Sequence, residues 1–356
     1  CQSFSSRGGP RGARASVPPP HAGSVTRVSI QTTGPSADAV QAVVDVGGPE
    51  MIRLLARVEQ RMADLAEGYG EVLAQHAGDT IAAGGKRLRP LLVCLAAGVP
   101  PPETEEVLRA AVAVELVHGA TLVHDDVLDG SQLRRGRPTV FARGGRQLAT
   151  ATGDLLFSRA FAELGGGGSI QAVRSLSRAA CELAQGELVQ RGDAFVGEVT
   201  VDRYLERSRL KTGVLFRAAC ELGALAAGGA VAELGAFGER VGVAFQILDD
   251  VLDISGPPER TGKPQGADLL DGTITLPVIL ARSADPTLAA VELRDVRTAA
   301  QAAQLCDRIA LTGALGDAKA RALELVARAK RSLPNLPERQ RMALEMVAEG
   351  VVQRYA

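Results

Sequence analysis

Residues 125–129 read DDVLD, and the same five letters recur at residues 249–253. Each copy follows an apolar run that suits a buried helix. On an α-helix, side chains four positions apart lie on one face, so Asp125 lies beside Asp129, whereas Asp126 is turned away by about 100°. The second copy repeats this arrangement with Asp249, Asp253 and Asp250. The two segments therefore predict two helices that deliver the same acidic group.

The chain around these segments has a helical pattern from about Pro49 onward. Ala, Leu, Val, Glu and Arg dominate, and strand-like alternation is scarce. Clusters of Gly and Pro separate the helical stretches. Helices are predicted at residues 51–66, 103–129, 172–189, 201–227, 231–254, 317–332 and 338–355. Because nothing in the composition divides this region, residues 49–356 are interpreted as one all-α domain.

Residues 1–48 have a different composition. No acidic residue occurs up to Gly34, and this stretch contains Arg7, Arg11 and Arg14. Such a segment cannot bury enough apolar surface to offset its ordering entropy, so we expect it to be disordered. Its Arg-rich, acid-poor character is typical of a transit peptide. Because the chain begins with Cys1, we favour the alternative of a non-native or upstream-translated leader.

The overall composition excludes several classes of function. The 356 residues carry a net charge of −1, 46% are hydrophobic, and no Trp is present, which disfavours a nucleic-acid partner. The sequence contains no run of eighteen apolar residues, so it predicts no membrane-spanning helix. The cysteine number is odd and no C-x-x-C occurs, so neither a disulfide framework nor a zinc finger is indicated. A cytoplasmic location is the simple interpretation.

The paired aspartates are costly unless a counter-charge is present. Like charges four positions apart destabilise a helix, and buried carboxylates need a cation. A solvated acidic helix face is the ordinary explanation for one such motif. An identical second copy in an apolar setting favours a hard divalent cation instead. Magnesium suits this use because it takes one or two carboxylates and shares phosphate oxygens.

Basic segments accompany the acidic ones. They read GGKRLRP at 84–90, RRGRPT at 134–139, KTG at 211–213 and GKP at 262–264. Arginine forks and lysine charges suit phosphate oxygens, and neighbouring glycines let the backbone approach an anion. Acid, metal and base in one pocket describe a site for diphosphates.

These segments, in this order, resemble the trans-isoprenyl diphosphate synthases, or polyprenyl synthetases, of the bacterial medium- and long-chain type. The resemblance covers roughly residues 50–356. The matching pieces are GGKRLRP at 84–90, ELVHGATLVHDDVLDGSQLRRGRPT at 115–139, GDLLF at 153–157, KTG at 211–213, FQILDDVLDISG at 245–256 and GKPQGADLLDGTITLP at 262–277. The segment ARGGRQLATA at 142–151 departs from bacterial relatives, which usually carry Trp and Asn there.

The resemblance implies an all-α prenyltransferase bundle around a deep central cavity, usually in a homodimer. It implies a Mg²⁺-dependent reaction in which isopentenyl diphosphate condenses head to tail with an allylic prenyl diphosphate. The allylic diphosphate leaves, the double bond of isopentenyl diphosphate attacks the resulting cation, and a proton is lost. The departed diphosphate is the credible base for that last step.

The resemblance also assigns roles by position. Magnesium ligands are expected at Asp125, Asp129, Asp249 and Asp253. The catalytic group is expected to comprise Asp125, Asp126, Asp129, Lys211, Asp249 and Asp250. Isopentenyl diphosphate is expected to contact Lys86, Arg89, His118 and Arg135. The allylic diphosphate is expected to contact Arg134, Lys211, Thr212, Gln246 and Lys263. His118 precedes Asp125 by two helical turns, which by itself predicts that it faces the same cavity.

Product length has a local indicator one turn before Asp125. Relatives that make short chains carry aromatic residues there, which block the growing tail. This chain has Ala120 and Thr121. We therefore predict a product of twenty or more carbons, with Phe157 or Phe161 as candidates for a deeper floor.

Three alternatives remain beside this interpretation. A terpene cyclase on the same bundle usually has a second metal motif with Asn, Ser and Glu and lacks the basic set that binds isopentenyl diphosphate. A non-catalytic regulatory subunit of a heteromeric synthase typically loses its aspartate motifs, whereas this chain keeps all six aspartates. A helical metal buffer would not need Lys86 or Lys211.

Overall fold

A computed structural model describes residues 35–67, 87–134, 136–256 and 264–353. Apart from a two-residue antiparallel ribbon and two short turns of other helix types, the elements in these ranges are α-helices. They are α1 (Pro35–Gly47), α2 (Pro49–Glu67), α3 (Leu88–Ala97), α4 (Glu105–Leu128), α5 (Val140–Gly165), α6 (Ile170–Asp193), α7 (Val201–Ser208), α8 (Val214–Ala227), α9 (Val231–Ser255), α10 (Ala267–Leu270), α11 (Leu276–Ala284), α12 (Pro286–Ala289), α13 (Ala299–Leu311), α14 (Ala314–Arg331) and α15 (Glu338–Gln353).

Helix α4 forms the centre of the bundle and carries the first DDVLD segment at its end. Its start is capped by Thr104, whose hydroxyl accepts a hydrogen bond from the amide of Val107 at 3.4 Å. Glu105 and Glu106 in the first turn complement the helix dipole. Apolar residues occupy most of its circumference, and α3, α5 and α8 pack around it. A helix that is apolar on all sides belongs in a core.

Helix α9 carries the second DDVLD segment in the same way. It packs against α8 and α14, and its last residues precede Gly256. Both acidic motifs therefore lie in the C-terminal part of a buried helix. The dipole is negative at that end, so the fold adds to the repulsion that the aspartates already experience.

Helix α4 is also the one helix in the described ranges that is long and apolar enough to cross a membrane. In the structure 67% of its apolar window is buried by other helices. This burial is what a central core helix requires.

The N-terminal boundary differs from the expected one at residue 49. Residues 35–47 form helix α1, which packs on α15, and the side chains of Val43 and Val44 are buried in the main core. The acid-poor composition ends at Gly34, and the apolar positions that follow pack against α15, which explains the earlier start. Residues 1–34 lie outside the described residues.

The predicted helices at 103–129 and 231–254 correspond to α4 and α9. The predicted helix at 201–227 is divided by a turn of π-helix, Arg209–Gly213, hereafter the π turn. Sequence analysis predicted no helix at 140–165, where α5 bends at Gly145 with φ 71°. The glycines in this stretch hid its helical pattern.

A partly buried ion-pair network holds the π turn against its neighbours. Arg217 of α8 contacts Glu182 of α6 and lies 2.9 Å from Glu239 of α9. Arg209, the first residue of the π turn, lies 3.7 Å from Glu182 and 3.6 Å from Glu239. Both glutamates thus tie three elements together, and the irregular turn has a defined position.

The crossing of α3 and α8 depends on a missing side chain at Gly223. A Cβ atom there would lie 2.1 Å from the carbonyl oxygen of Val93. We expect Gly223→Ala to lower the free energy of unfolding by about 1–3 kcal/mol, because the backbones must separate. Chemical denaturation measures this change.

The matched control is Gly316→Ala in α14, where a Cβ atom meets nothing within 4 Å. This replacement should leave stability unchanged or raise it by up to about 1 kcal/mol, because alanine is the better helix former. Equal effects of the two substitutions would contradict the close crossing.

Candidate active site

One cavity of about 430 Å³ lies where the ends of α4 and α9 meet the π turn and α6. Its walls are mainly polar and charged. The sequence-predicted residues that line it are Arg89, His118, Thr121, Asp125, Asp129, Arg134, Lys211, Thr212, Gln246, Asp249, Asp250 and Asp253. The fold thus brings residues separated by more than 150 positions into one site.

Two predicted residues among those that the structure describes are not found on these walls. Ala120 and Asp126 are buried away from the lining. Lys86, Arg135 and Lys263 lie outside the described residues.

Asp125 of the first motif is a desolvated carboxylate. Burial raises its pKa to about 6, and repulsion from Glu187 and Asp129 contributes, while Lys211 opposes the shift. A raised carboxyl pKa means that the ionised form lacks adequate counter-charge. This position therefore favours a cation.

Asp250 of the second motif is held by two donors. The Tyr204 hydroxyl donates a hydrogen bond to one carboxylate oxygen at 2.6 Å, and the Gln246 amide donates to the other at 2.8 Å. Burial nevertheless raises the pKa of Asp250 to about 8, and repulsion from Asp268 adds to the shift. Thr212 donates to the Gln246 oxygen at 2.6 Å, which connects this chain of hydrogen bonds to the π turn.

Asp126 has a different environment from its neighbour Asp125. Its side chain is buried, and one carboxylate oxygen accepts from the guanidinium of Arg134 at 2.8 Å through two nitrogens. Arg134 lies in a short ribbon in which Leu133–Arg134 pairs with Arg137–Pro138. The sequence analysis placed Asp126 in the catalytic group. In the structure its contact positions Arg134, because the helix turns Asp126 away from the cavity face. Its catalytic role stays a prediction.

Close packing places the π turn at the cavity wall. A Cβ atom on Gly186 of α6 would lie 2.9 Å from the amide nitrogen of Lys211. On the other side, a Cβ atom on Gly242 of α9 would lie 2.9 Å from the Cα atom of Gly213. These two glycines allow the turn to sit between α6 and α9. The π turn places both Lys211 and Thr212 on the cavity wall.

Helix α6 adds charged residues that the sequence analysis missed. Glu187 lies 2.8 Å from the ammonium group of Lys211. Arg191, one turn later, lies 2.6 Å from Asp129 and 2.8 Å from Glu187. The four side chains form a row of alternating charge, which we call the charge row: Asp129, Arg191, Glu187 and Lys211.

Other cavity residues also escaped the sequence analysis: Gln190, Tyr204, Arg207, Asp268 and Asp271. A signal existed in α6, where the polar residues of QGELVQRGD at 185–193 recur at three- and four-residue spacing. For Tyr204 and Arg207, no motif distinguished them from ordinary helix residues. Only their packing against α9 and the segment before α11 brings them to the site.

Two arginines of the GGKRLRP segment, Arg87 and Arg89, lie within the described residues, and they have different roles. The guanidinium of Arg89 lies 4.9 Å from the Phe216 ring centre, and Arg89 lines the cavity. Arg87 has a left-handed backbone with φ 46° and pairs with Glu59 at 2.5 Å and Glu115 at 2.8 Å. Arg87 is thus a structural residue, whereas Arg89 lies on the cavity wall.

The two residues that indicate product length, Ala120 and Thr121, have different environments in the structure. Thr121 lines the cavity, and its hydroxyl donates to the carbonyl oxygen of His118 at 2.8 Å. Ala120 is fully buried and lies off the wall, because it precedes Asp125 by five residues rather than four. Thr121 thus lies on the cavity wall and Ala120 in the core, and the role of both positions in product length stays a prediction. Phe157 stacks on His124 with ring centres 5.8 Å apart, and it is not on the lining.

The donor set fits a hard cation that a ligand helps to hold. In the ranges the structure describes, no group of three Asp, Glu, His or Cys side chains is arranged to hold a metal ion. Among the described residues, the donors on the cavity wall are carboxylate oxygens, without a thiolate or imidazole pair, and the pKa values of Asp125 and Asp250 are raised. This set suits Mg²⁺, which keeps waters and shares phosphate oxygens, better than it suits zinc.

Comparison with known proteins shows the family. A family model described as polyprenyl synthetase covers residues 71–309. Heptaprenyl diphosphate synthase component 2 of Geobacillus stearothermophilus is 42% identical over 240 residues, or 67% of this chain and 75% of that protein. Chloroplastic solanesyl-diphosphate synthase 2 of Oryza sativa subsp. japonica is 31% identical over 341 residues, or 93% of this chain and 83% of that protein.

Solved structures share the architecture. Polyprenyl synthase from Caulobacter crescentus CB15, complexed with calcium and isoprenyl diphosphate, superimposes with a TM-score of 0.82 and 35% identity, covering 89% of this chain and 98% of that one. A decaprenyl diphosphate synthase from Rhodobacter capsulatus superimposes with a TM-score of 0.78 and 32% identity, covering 90% of this chain and 100% of that one. The predicted all-α isoprenoid synthase bundle is confirmed. The chain belongs to the polyprenyl synthetase family.

Proposed function

We propose that this chain is a Mg²⁺-dependent trans-polyprenyl diphosphate synthase that condenses isopentenyl diphosphate with an allylic prenyl diphosphate. The observation that carries the proposal is the convergence of both DDVLD segments on one cavity together with Arg89, Arg134 and Lys211. Anionic walls would hold cations, and the basic side chains would hold diphosphate oxygens. Neither half of this arrangement has a use without the other.

In the proposed mechanism, Asp125, Asp129, Asp249 and Asp253 would hold the metal. Mg²⁺, when bound, neutralises charge that develops on the leaving diphosphate. Arg134 and Lys211 bind the same diphosphate and stabilise that charge. Thr212 and Gln246 orient Asp250 through the hydrogen bonds described above.

Arg89 and His118 hold isopentenyl diphosphate on the other side, with Lys86 and Arg135 expected to join them. The bond between C1 of the allylic substrate and its diphosphate oxygen breaks. The terminal carbon of isopentenyl diphosphate then forms a bond to C1, and a proton passes to the departed diphosphate. Holding the two substrates at bonding distance lowers the entropic part of the barrier.

The relatives support a product of twenty or more carbons. Those described above are named as heptaprenyl, solanesyl and decaprenyl synthases. A cavity wall with Thr121 rather than an aromatic residue agrees with a long tail. The calcium and isoprenyl diphosphate in the Caulobacter structure support the same classes of ligand here.

The assembly has two candidate forms. The family resemblance favours a homodimer that acts in the cytoplasm. The Geobacillus relative is named as component 2 of a synthase, which favours a second candidate in which this chain works with another subunit. Six retained aspartates support a catalytic role for this chain in either form.

Purified protein with Mg²⁺, farnesyl diphosphate and radiolabelled isopentenyl diphosphate should form labelled prenyl diphosphates. Asp125→Asn and Asp249→Asn should each lower the rate by at least about 100-fold, because charge stabilisation at the leaving group is lost. Asp307→Asn, at an exposed position in α13, is the matched control and should retain activity.

The outcomes separate the candidates. Folded protein that makes no product alone but does so with a second subunit would support the heteromeric form. Hydrocarbon formed from the allylic substrate without incorporated label would indicate a terpene cyclase and contradict the proposal.

Thr121→Phe should shorten the product by one or more five-carbon units, because the ring would occupy space on the cavity wall. Reversed-phase chromatography of the dephosphorylated products measures this. Thr121→Val has a similar volume to the native residue and should leave the length unchanged. An unaltered length distribution in Thr121→Phe would show that the tail does not pass this wall.

Asp125→Asn should raise the melting temperature of metal-free protein at pH 8. The native carboxylate is then ionised, although burial and neighbouring acids disfavour that state. Removing such a charge commonly stabilises a functional site by about 0.5–2 kcal/mol. The same variant should lose the further stabilisation that Mg²⁺ with inorganic diphosphate gives to the native protein. A lower melting temperature without metal would contradict the electrostatic argument.

A further inference from the structure

We propose that Arg191 occupies the place of the metal cation at Asp129 until diphosphate arrives, so that metal binding depends on diphosphate. This inference rests on the proposed function and deepens it. Arg191 is a positioning residue, since it acts through Asp129 and not on the reacting atoms.

The geometry of the charge row carries the inference. Arg191 lies 2.6 Å from Asp129, which is the C-cap residue of α4. It also lies 2.8 Å from Glu187 on its own helix. Glu187 uses its second oxygen for Lys211 at 2.8 Å. Two positive and two negative charges therefore alternate without a net charge. All three contacts join the first metal-binding motif to the π turn.

The row can exchange partners only when both ligands are present. Suppose that a metal binds Asp129 and diphosphate binds Lys211. Arg191 and Glu187 are then left as a balanced pair, and they already share a contact one helical turn apart. No new salt bridge needs to form, and no charge in the row loses its partner.

Either ligand alone leaves an imbalance. A metal without diphosphate displaces Arg191 onto Glu187, which then serves two cations beside a dication. Diphosphate without metal removes Lys211 from Glu187, and Arg191 must serve two carboxylates beside an anion. Each single step places like charges close together, and the second ligand relieves them. Such coupling is reciprocal between the two ligands.

The local exposure makes the exchange feasible. The side chains of Arg191 and Asp129 are 42% and 35% exposed, so water can solvate Arg191 when the metal replaces it. Ion pairs with this exposure stabilise by at most about 1 kcal/mol, which a divalent cation can overcome. The ion pair therefore weakens metal binding at Asp129 without preventing it.

Mn²⁺ binding measured by electron paramagnetic resonance tests the inference without any turnover. In the absence of diphosphate, Arg191→Gln should bind Mn²⁺ about two- to fivefold more tightly than the native protein, because one competing cation is gone. Arg191→Lys keeps the charge and should stay near the native affinity. Adding inorganic diphosphate should tighten Mn²⁺ binding less in Arg191→Gln than in the native protein, after correction for the complex in solution.

Arg203→Gln is the matched control. Arg203 is 48% exposed, contacts Asp193 at 3.1 Å and does not line the cavity, so its removal changes the net charge equally. Unchanged Mn²⁺ affinity in Arg191→Gln, or an equal gain in Arg203→Gln, would overturn the inference. If the native protein binds no Mn²⁺ under either condition, the proposed metal site itself fails. The two failures are therefore distinguishable.

Discussion

Repulsion among carboxylates at the ends of two apolar helices is the constraint on which this structure depends. Helices α4 and α9 each direct an acidic motif toward the same cavity, at the helix end where the backbone dipole is also negative. Burial raises the pKa values of Asp125 and Asp250, and neighbouring carboxylates raise them further, so positive charge is in short supply here. Much of the surrounding architecture can be understood as the supply of cations to this place.

The protein supplies some of these cations from its own side chains. Arg134 forms an ion pair with Asp126, and Arg191 forms one with Asp129. Lys211 lies at the cavity wall and forms an ion pair with Glu187. Each comes from a different element, so the site is assembled by packing rather than by one local segment. The remaining deficit concerns the carboxylates that face the cavity. The proposed metal would balance that deficit.

Placement of Lys211 requires a departure from regular helix. The π turn Arg209–Gly213 lies between Gly186 and Gly242, where side chains larger than hydrogen would collide with its backbone. Ion pairs of Arg209 and Arg217 with Glu182 and Glu239 hold the turn from the outer side. A π turn inside a long helix often marks a functional site, because it redirects adjacent side chains. Here it brings Lys211 and Thr212 to one wall.

The sequence by itself determined the all-α class, the two acidic helix ends and the charged residues of the two DDVLD segments that lie on the cavity wall. It could do so because helical periodicity and the four-residue spacing of aspartates are local properties. Tertiary structure alone decided that Asp126 anchors Arg134, that Thr121 and not Ala120 lines the cavity, and that Glu187 and Arg191 join the site. These facts depend on which face of one helix meets another. A single helix has no information about its neighbour, so contacts between distant elements follow only from how the helices pack.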